Sequence, residues 1–331
     1  MKPLVAPGAL LLRWSVVAAC LLSCPGAGAA PFSYITNQET DSVSVIDNAT
    51  RSVVHTIPVG RRPAGVTTTP HNRHVYVTNP EGQSVSIIET SSNTVISTLP
   101  MGESPLGIVS DSRGENIYVA DWYGNRVHVI SGTTLEITGE LPAGRTPAGM
   151  AVDAGDRFLY VANKEDNAVS VIDLEQRRIV AEIPVGKAPF GLLLVDQLGL
   201  LLSANVQDST LSVISTARNK VSATVQVRDF PYAMTWHPPT QRLFVTNQRD
   251  NSVSVVDLEQ MVEVGVIAVG DYPEGIDLDP VSGLVYVANW FDGDVAVIDP
   301  VSLQVIDRIA TDDGSRAFGK FITPDKSVMR R

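Results

Sequence analysis

Cysteine is nearly absent from this chain. Of 331 residues only Cys20 and Cys24 carry a thiol, and both precede the region that holds all further organisation. Beyond residue 30 there is no disulfide, no thiolate nucleophile and no Cys-x-x-Cys-His attachment for c-type haem. Charge is scarce at 18 % of residues, and aromatics make up 6 %. Histidine occurs five times, at His55, His71, His74, His128 and His237. These positions fall on strands or on turns of one face, too dispersed to converge as a copper or zinc cage. His71 and His74 share one turn and read as a solvated pair. No Gly-x-Ser-x-Gly elbow and no Ser/His/Asp set can be assigned. Long apolar runs are missing too. The uncharged, mostly apolar run Trp14 to Leu22 falls short of the roughly 20 residues a spanning helix needs.

That stretch follows Lys2 and Arg13 and precedes Ala27-Gly28-Ala29, a small-x-small cleavage pattern. Residues 1–29 are therefore predicted to be a signal peptide and 30–331 the working domain. The expected location is the periplasm or the exterior. Val17-Ala18-Ala19-Cys20 and Leu21-Leu22-Ser23-Cys24 also resemble lipoprotein boxes, so an anchor at Cys20 or Cys24 is the alternative. Loss of Lys2 and Arg13 leaves 23 basic against 36 acidic residues, a net charge of −13. Such a surface repels phosphate backbones, which argues against nucleic acid as a partner.

What the chain has is a period. The tetrapeptide Tyr-x-x-Asn begins at Tyr34, Tyr76, Tyr118, Tyr160, Leu202, Phe244 and Tyr286, each start 42 residues after the last. Its fourth position reads Asn37, Asn79, Asp121, Asn163, Asn205, Asn247 and Asn289. A period of this size means stacked supersecondary units. One unit reads as four short strands: Ala64–Thr69, His74–Thr78, Ser84–Ile88 and Thr94–Leu99. The alternation of the third predicts a half-exposed strand. Asp47, Glu89, Ser131, Asp173, Ser215, Asp257 and Asp299 close that strand with a turn. Pro63, Pro105, Pro147, Pro189, Pro231 and Pro273 open the first strand, and a glycine two residues on allows close approach of the inner strands.

The domain begins directly in a second strand, Phe32–Asn37, and ends with a spare first strand at Arg316–Pro324, about two residues longer than its equivalents. Pairing the two predicts an all-β, seven-bladed β-propeller of four antiparallel strands per blade, closed by its C-terminal segment. A single closed ring of this kind is expected to be monomeric.

Tyr76-Val77-Thr78-Asn79, with Val169-Ser170-Val171-Ile172-Asp173 downstream of the equivalent tetrapeptide and Pro-x-Gly ahead of it, resembles the YVTN family of β-propeller repeat proteins. The likeness covers residues 32–324. It implies a secreted or cell-surface propeller and no particular chemistry. Related seven-bladed propellers include lactonases, a streptogramin-type lyase and accessories of periplasmic redox enzymes.

Function on a ring of repeats should appear where repeats differ. The residue between Pro and Gly reads Ala64, Leu106, Ala148, Phe190, Tyr232, Glu274 and Arg316 around the ring. Two positions earlier the series is Arg62, Ser104, Thr146, Ala188, Phe230, Tyr272 and Gly314. One arc thus gathers Phe190, Phe230, Tyr232, Tyr272, Glu274 and Arg316 at a channel mouth. Trp122-Tyr123 and Trp290-Phe291 from other loops join it on the same face. Aromatic walls with a few charges are the usual form of a small-molecule pocket, and Glu274 and Arg316 could pair or clamp a polar ligand. The expectation is a binding module for a small molecule or a protein partner, with no catalytic residues. A lactonase- or lyase-like enzyme using Glu274 is the alternative, and an accessory of a periplasmic oxidoreductase is a third reading. No cofactor is expected, although Glu103, Asp121, Asp271, Glu274, Asp292 and Asp313 could offer oxygen to Ca²⁺.

The leader reading has a direct check. Terminal sequencing of the exported protein should begin at Ala30; a lipid-modified Cys20 or Cys24 in the membrane fraction would replace it.

Overall fold

The computed structural model describes residues 31–323. The leader, with Cys20 and Cys24, lies outside the described residues. Seven sheets are arranged around a central channel. In each complete blade four consecutive strands pair antiparallel, for example Pro147–Val152, Phe158–Asn163, Ala168–Asp173 and Arg178–Pro184 in the fourth. The only helical element among the described residues is a single turn at Asp196–Leu198. No helix among them is long and apolar enough to cross a membrane.

The core lies between blades. One cluster joins Tyr34, Val43 and Val45 of the first blade to Tyr286, Val295 and Val297 of the seventh. This packing corrects the expectation of a half-exposed third strand. Ser84–Glu89 is buried on both faces up to its last residue, and only the outermost strand, Thr94–Pro100, alternates toward solvent. The serines on the hidden face have partners. Asn79 Nδ2 donates to Ser84 and Ser86 (3.2 and 3.0 Å), and Asn37 and Asn247 do likewise in their blades. The fourth residue of the tetrapeptide is thus a buried strut between strands two and three.

Short side chains at the end of strand three make the predicted turns. Asp47 Oδ1 accepts the Ala49 N–H (2.8 Å) and Asp299 Oδ1 the Val301 N–H (2.9 Å). Glu89, one carbon longer, accepts the Ser92 hydroxyl instead (2.8 Å). The inner strands approach so closely that a Cβ on Gly107 would strike the Ala148 carbonyl oxygen, and one on Gly149 that of Phe190.

Closure is where the structure refines the sequence reading. Ser315 and Ile322 bridge Asn37 and Ser33, and Tyr34 N–H, Arg316 N–H and Thr323 N–H complete the pairing with Phe321, Thr36 and Phe32 carbonyls (2.8–2.9 Å). The C-terminal segment is therefore the innermost strand of the first blade at its two ends only. Between the bridges it holds two more residues than the equivalent Pro147–Val152. That surplus swings into the channel, where Phe318–Lys320 runs parallel to Gly65–Thr67 of the second blade. Thr68 Oγ1–H donates to the Ile322 carbonyl (3.1 Å) and helps hold the segment there. The expected pairing of the C-terminal segment with Phe32–Asn37 is thus present at both ends and interrupted at Phe318–Lys320.

Asp277 of the seventh blade secures the far end of this segment. Its Oδ2 accepts two consecutive backbone N–H groups, from Phe321 (3.0 Å) and Ile322 (2.9 Å). Burial pushes the Asp277 carboxyl up to about 6 against the pull of those bonds and of Lys320. The folded chain therefore holds this proton more tightly than the unfolded chain, whose value is near ~3.9. Stability from this group is full below about pH 4 and declines as pH rises through about 6. The stability of Asp277→Asn relative to the native chain should accordingly improve between those limits. Parallel urea midpoints across that range would disprove it.

Candidate functional site

Two backbone devices build the channel mouth. The first is a bulge. In blades three to seven the inner strand pairs, skips and pairs again, as at Pro147↔Asn163 and Met150↔Val161, so that two residues oppose one. A bulge re-aims a side chain. Here the displaced residues are Leu106, Ala148, Phe190, Tyr232 and Glu274, the series that runs between Pro and Gly.

The second device is a left-handed corner. Arg62, Thr146, Ala188, Phe230 and Tyr272 all have φ between 52° and 61°. For bulky residues this region is sparsely populated and needs support. Support comes from the neighbouring loop: Asn251 Oδ1 accepts the Tyr272 N–H (3.0 Å), and Asn125 and Asn167 do the same for Thr146 and Ala188. The corner carbonyl then accepts the N–H of the residue that follows the next Asn of the tetrapeptide. Tyr272 takes Trp290 in this way (3.1 Å), and Phe230 takes Gln248 (3.0 Å).

These devices enclose a concavity of about 320 Å³. Phe190, Phe230, Tyr232, Tyr272, Glu274, Arg316 and Trp122 all line it. Trp290 does not. It stands behind the wall, 6.2 Å from the Tyr272 ring and 4.5 Å from Phe291, with its indole N–H on Gln38 Oε1 (3.2 Å). The floor is a stack. Phe190 lies on Tyr232 with ring centres 4.3 Å apart, and Phe318 of the closing segment packs against both at 5.0 and 5.3 Å. These residues belong to a buried cluster that runs from the channel into the core between the sixth and seventh blades.

Polar groups sit on that floor. Arg316 Nε lies 2.7 Å from Glu274 Oε2, Arg316 Nη2–H donates to the Tyr232 hydroxyl (2.8 Å), and Gln248 Nε2–H donates to Glu274 Oε1 (2.9 Å). Thr246 Oγ1–H donates to the Glu274 carbonyl (2.9 Å) and fixes its backbone. Glu274 is only 4 % exposed. The Nε–Oε2 contact joins the two groups as charges, and neither atom is open to solvent. Burial pushes the Glu274 carboxyl above the usual carboxylate range, opposed by Arg316 and Gln248. Burial disfavours the Arg316 charge, but Glu274 and Tyr232 outweigh it and the guanidinium is held protonated. Burial likewise raises Tyr232 and Tyr272, so both hydroxyls keep their protons.

The carboxylates considered for Ca²⁺ are not brought together. Among the described residues no three His, Cys, Asp or Glu side chains gather as a metal site. Asp121 is turned toward the Glu103 and Ser104 backbone N–H groups (3.1 and 3.0 Å), and Asp292 Oδ2 accepts the Asp271 N–H (3.0 Å).

Sequence reasoning missed Gln38, Gln248 and Phe318. The residue after each Asn of the tetrapeptide reads Gln38, Pro80, Trp122, Lys164, Val206, Gln248 and Trp290, so the period that found the tryptophans also holds the glutamines. Phe318 had no such signal, because its position depends on the two-residue surplus.

No protein-family model matches the chain, and no curated protein does. Solved structures do. A functionally unknown protein from Desulfotomaculum acetoxidans DSM 771 superposes with a TM-score of 0.79 at 14 % identity, covering 89 % of this chain and 99 % of that one. A chain of Kuenenia stuttgartiensis hydrazine synthase gives 0.70 at 17 % identity over 76 % and 87 %. Dihydro-heme d1 dehydrogenase NirN in complex with DHE gives 0.67 at 12 % over 87 % and 75 %. At these identities the likeness is one of fold, and it identifies the chain as similar to propeller proteins.

The Phe318 ring is buried at the junction of floor and closure. Phe318→Ala should therefore lower unfolding stability by about 3–5 kcal/mol, read as a shifted denaturant midpoint. A loss of less than about 1 kcal/mol would mean the stack collapses onto the gap without strain.

Proposed function

We propose that the chain is a binding propeller that takes a small molecule at the mouth lined by Phe190, Phe230, Tyr232, Tyr272, Glu274 and Arg316, and that it works outside the cytoplasm. The observation that carries this reading is the Glu274–Arg316 pair. A buried ion pair contributes little net stability of its own, and this one sits with Tyr232 and Gln248 at the bottom of an aromatic concavity. A few polar groups converging in an apolar recess are the usual form of a small-molecule site. The recessed floor favours a small molecule over a flat protein surface.

The lactonase- or lyase-like reading has weaker support. Glu81, the other carboxylate of the lining, is engaged at the rim by Arg61 and Arg62 (3.1 and 3.3 Å). Glu274 thus has no free acid or base opposite it. The oxidoreductase-accessory reading draws only on the fold likeness to hydrazine synthase and NirN.

A library of small fragments of mixed charge, followed by saturation-transfer NMR, tests the proposal. The double variant Trp122→Ala, Tyr272→Ala removes part-exposed walls and leaves the buried floor in place. Fragment signals should fall at least about tenfold in it, the loss expected when two aromatic contacts disappear. Undiminished binding would place the site elsewhere.

A further inference from the structure

The mouth has spent most of its hydrogen-bond acceptors and kept its donors, and the charges left unpaired on its walls are cations. Resting on the reading of the mouth as the binding site, we propose that its ligand is an aromatic carboxylate, with its ring against the walls and its charge met by Lys164 and Arg249 at the rim.

The acceptors are used within the chain. Glu274 Oε1 accepts from Gln248, and Glu274 Oε2 is closed off against Arg316 Nε. Glu81 holds Arg61 and Arg62 on its two oxygens (3.1 and 3.3 Å). Gln38 Oε1 takes the Trp290 indole N–H, and the Tyr232 hydroxyl oxygen takes Arg316 Nη2–H. Donors are left over. Trp122 Nε1, Gln38 Nε2 and Arg316 Nη1 bond nothing among the described residues, and none of the three is shut off from solvent. Because guanidinium is planar, the Nη1–H bonds do not point along the Nε–H that faces Glu274. Against these donors stands one open amide acceptor, Gln248 Oε1. Such a lining suits a ligand that brings acceptors.

Charge points the same way. The lining holds two acids, Glu81 and Glu274, and two cations, Arg62 and Arg316, all engaged in ion pairs. Two further cations rest on the wall rings. Lys164 Nζ sits 4.9 Å from the Trp122 ring centre, and Arg249 Cζ 4.3 Å from that of Phe230. Neither pairs with a carboxylate among the described residues, although Glu165 and Asp250 follow them in sequence. Arg61, Arg145, Lys187 and Arg228, from equivalent loops, are all paired. Arg249 also opposes the effect of burial on the Tyr272 hydroxyl, so its charge is felt on the wall beside Phe230. A chain of net charge −11 thus sets two surplus cations against one recess.

A cationic ligand would find the Trp122 and Phe230 faces already covered, and a neutral one would leave both charges unused. A carboxylate draws them off the rings, because a charge-assisted hydrogen bond is stronger than an exposed cation–π contact. The body is set by the walls. Trp122, Phe230 and Tyr272 surround a volume of about 320 Å³, roughly twice the ~150 Å³ cavity that holds benzene. One or two fused rings fit.

The test offers the mature chain a phenyl and an indole ring, each with three head groups: acetate, acetamide and ethylamine. Calorimetry and saturation-transfer NMR read the affinities. At low salt at least one acid should bind about tenfold tighter than its amide, a difference of about 1.4 kcal/mol. That preference should at least halve in 1 M salt, where the screening length falls to about 3 Å. In the double variant Lys164→Gln, Arg249→Gln it should drop below about twofold, with amide binding unchanged. The salt series on the native chain gives the same answer should the variant fold poorly. An amide or amine bound as tightly as its acid would overturn the charge assignment and leave the mouth as a site. A preference that survives both the double variant and high salt would overturn the role of the two cations. Silence from all six probes, with library fragments still bound at the mouth, would overturn the ligand class alone. Fragment binding undiminished in Trp122→Ala, Tyr272→Ala would instead remove the wider reading, and this proposal with it.

Discussion

Everything in this molecule depends on one antiparallel pairing, that of Ser315–Ile322 with Ser33–Asn37. Without it the first blade has three strands, Phe32–Asn37, Ser42–Asp47 and Ser52–Pro58, with an open inner edge. The ring then has no reason to close, because each core cluster needs two neighbouring blades to cover it. The same segment also delivers Arg316 and Phe318 to the mouth. Closure and site are therefore one structural event. A ligand that holds Arg316 stabilises the closing strand by mass action, and a loosened strand dismantles the floor. Asp277 stands at the other end of this strand and ties its N–H groups down, so the segment is anchored above and below the point where it leaves the sheet.

The mouth separates frame from content. Its frame recurs around the ring: a bulge in the inner strand of blades three to seven, a left-handed corner in most blades, and an Asn or Asp from the preceding loop on the corner N–H. Because that frame is backbone, it tolerates alanine, arginine or tyrosine at one corner position alike. Content is set by which side chain each blade hangs on the frame. Four adjacent blades, the first among them through its closing strand, hang rings and charges there, whereas Ala64, Leu106 and Ala148 on the far arc fill the channel as small apolar plugs. The asymmetry of the mouth lies in these side chains and in the closing segment that carries Arg316.

This division explains what could be read from the sequence. The period, the strand order, the missing and spare strands and the turn residues are local statements about 42-residue units, and local periodicity carries them. The mouth series was legible for the same reason, since a register known in one blade transfers to all. Burial of the third strand was not. Ser-x-Ser alternation looks like a solvated face, and only the neighbouring blade together with the Asn strut makes that face an interior one. Phe318 escaped because a two-residue surplus breaks the register that made every other position transferable. Trp290 was grouped with the mouth because its loop is equivalent to that of Trp122. Its ring instead turns toward Tyr272 and Gln38.

The third blade shows how strictly the frame is enforced, and thereby why the mouth stands apart. Asp121 replaces the Asn strut, and its two serine partners are replaced together by Arg126 and His128. Asp121 Oδ2 lies 3.7 Å from Arg126 Nε and 3.5 Å from His128 Nε2, while Oδ1 accepts two backbone N–H groups at the next corner. Glu140 on the outer strand flanks His128 Nδ1 at 3.3 Å. A buried carboxylate is tolerable only when charges and donors surround it, so the exchange had to occur as a set, and the strut survives in another chemistry. At the mouth Arg316 and Gln248 surround the Glu274 carboxylate in the same way, and the Tyr232 hydroxyl accepts from Arg316. The two clusters differ in position: the third-blade set lies between neighbouring strands of one sheet, whereas the Glu274–Arg316 pair lies at the bottom of an aromatic recess.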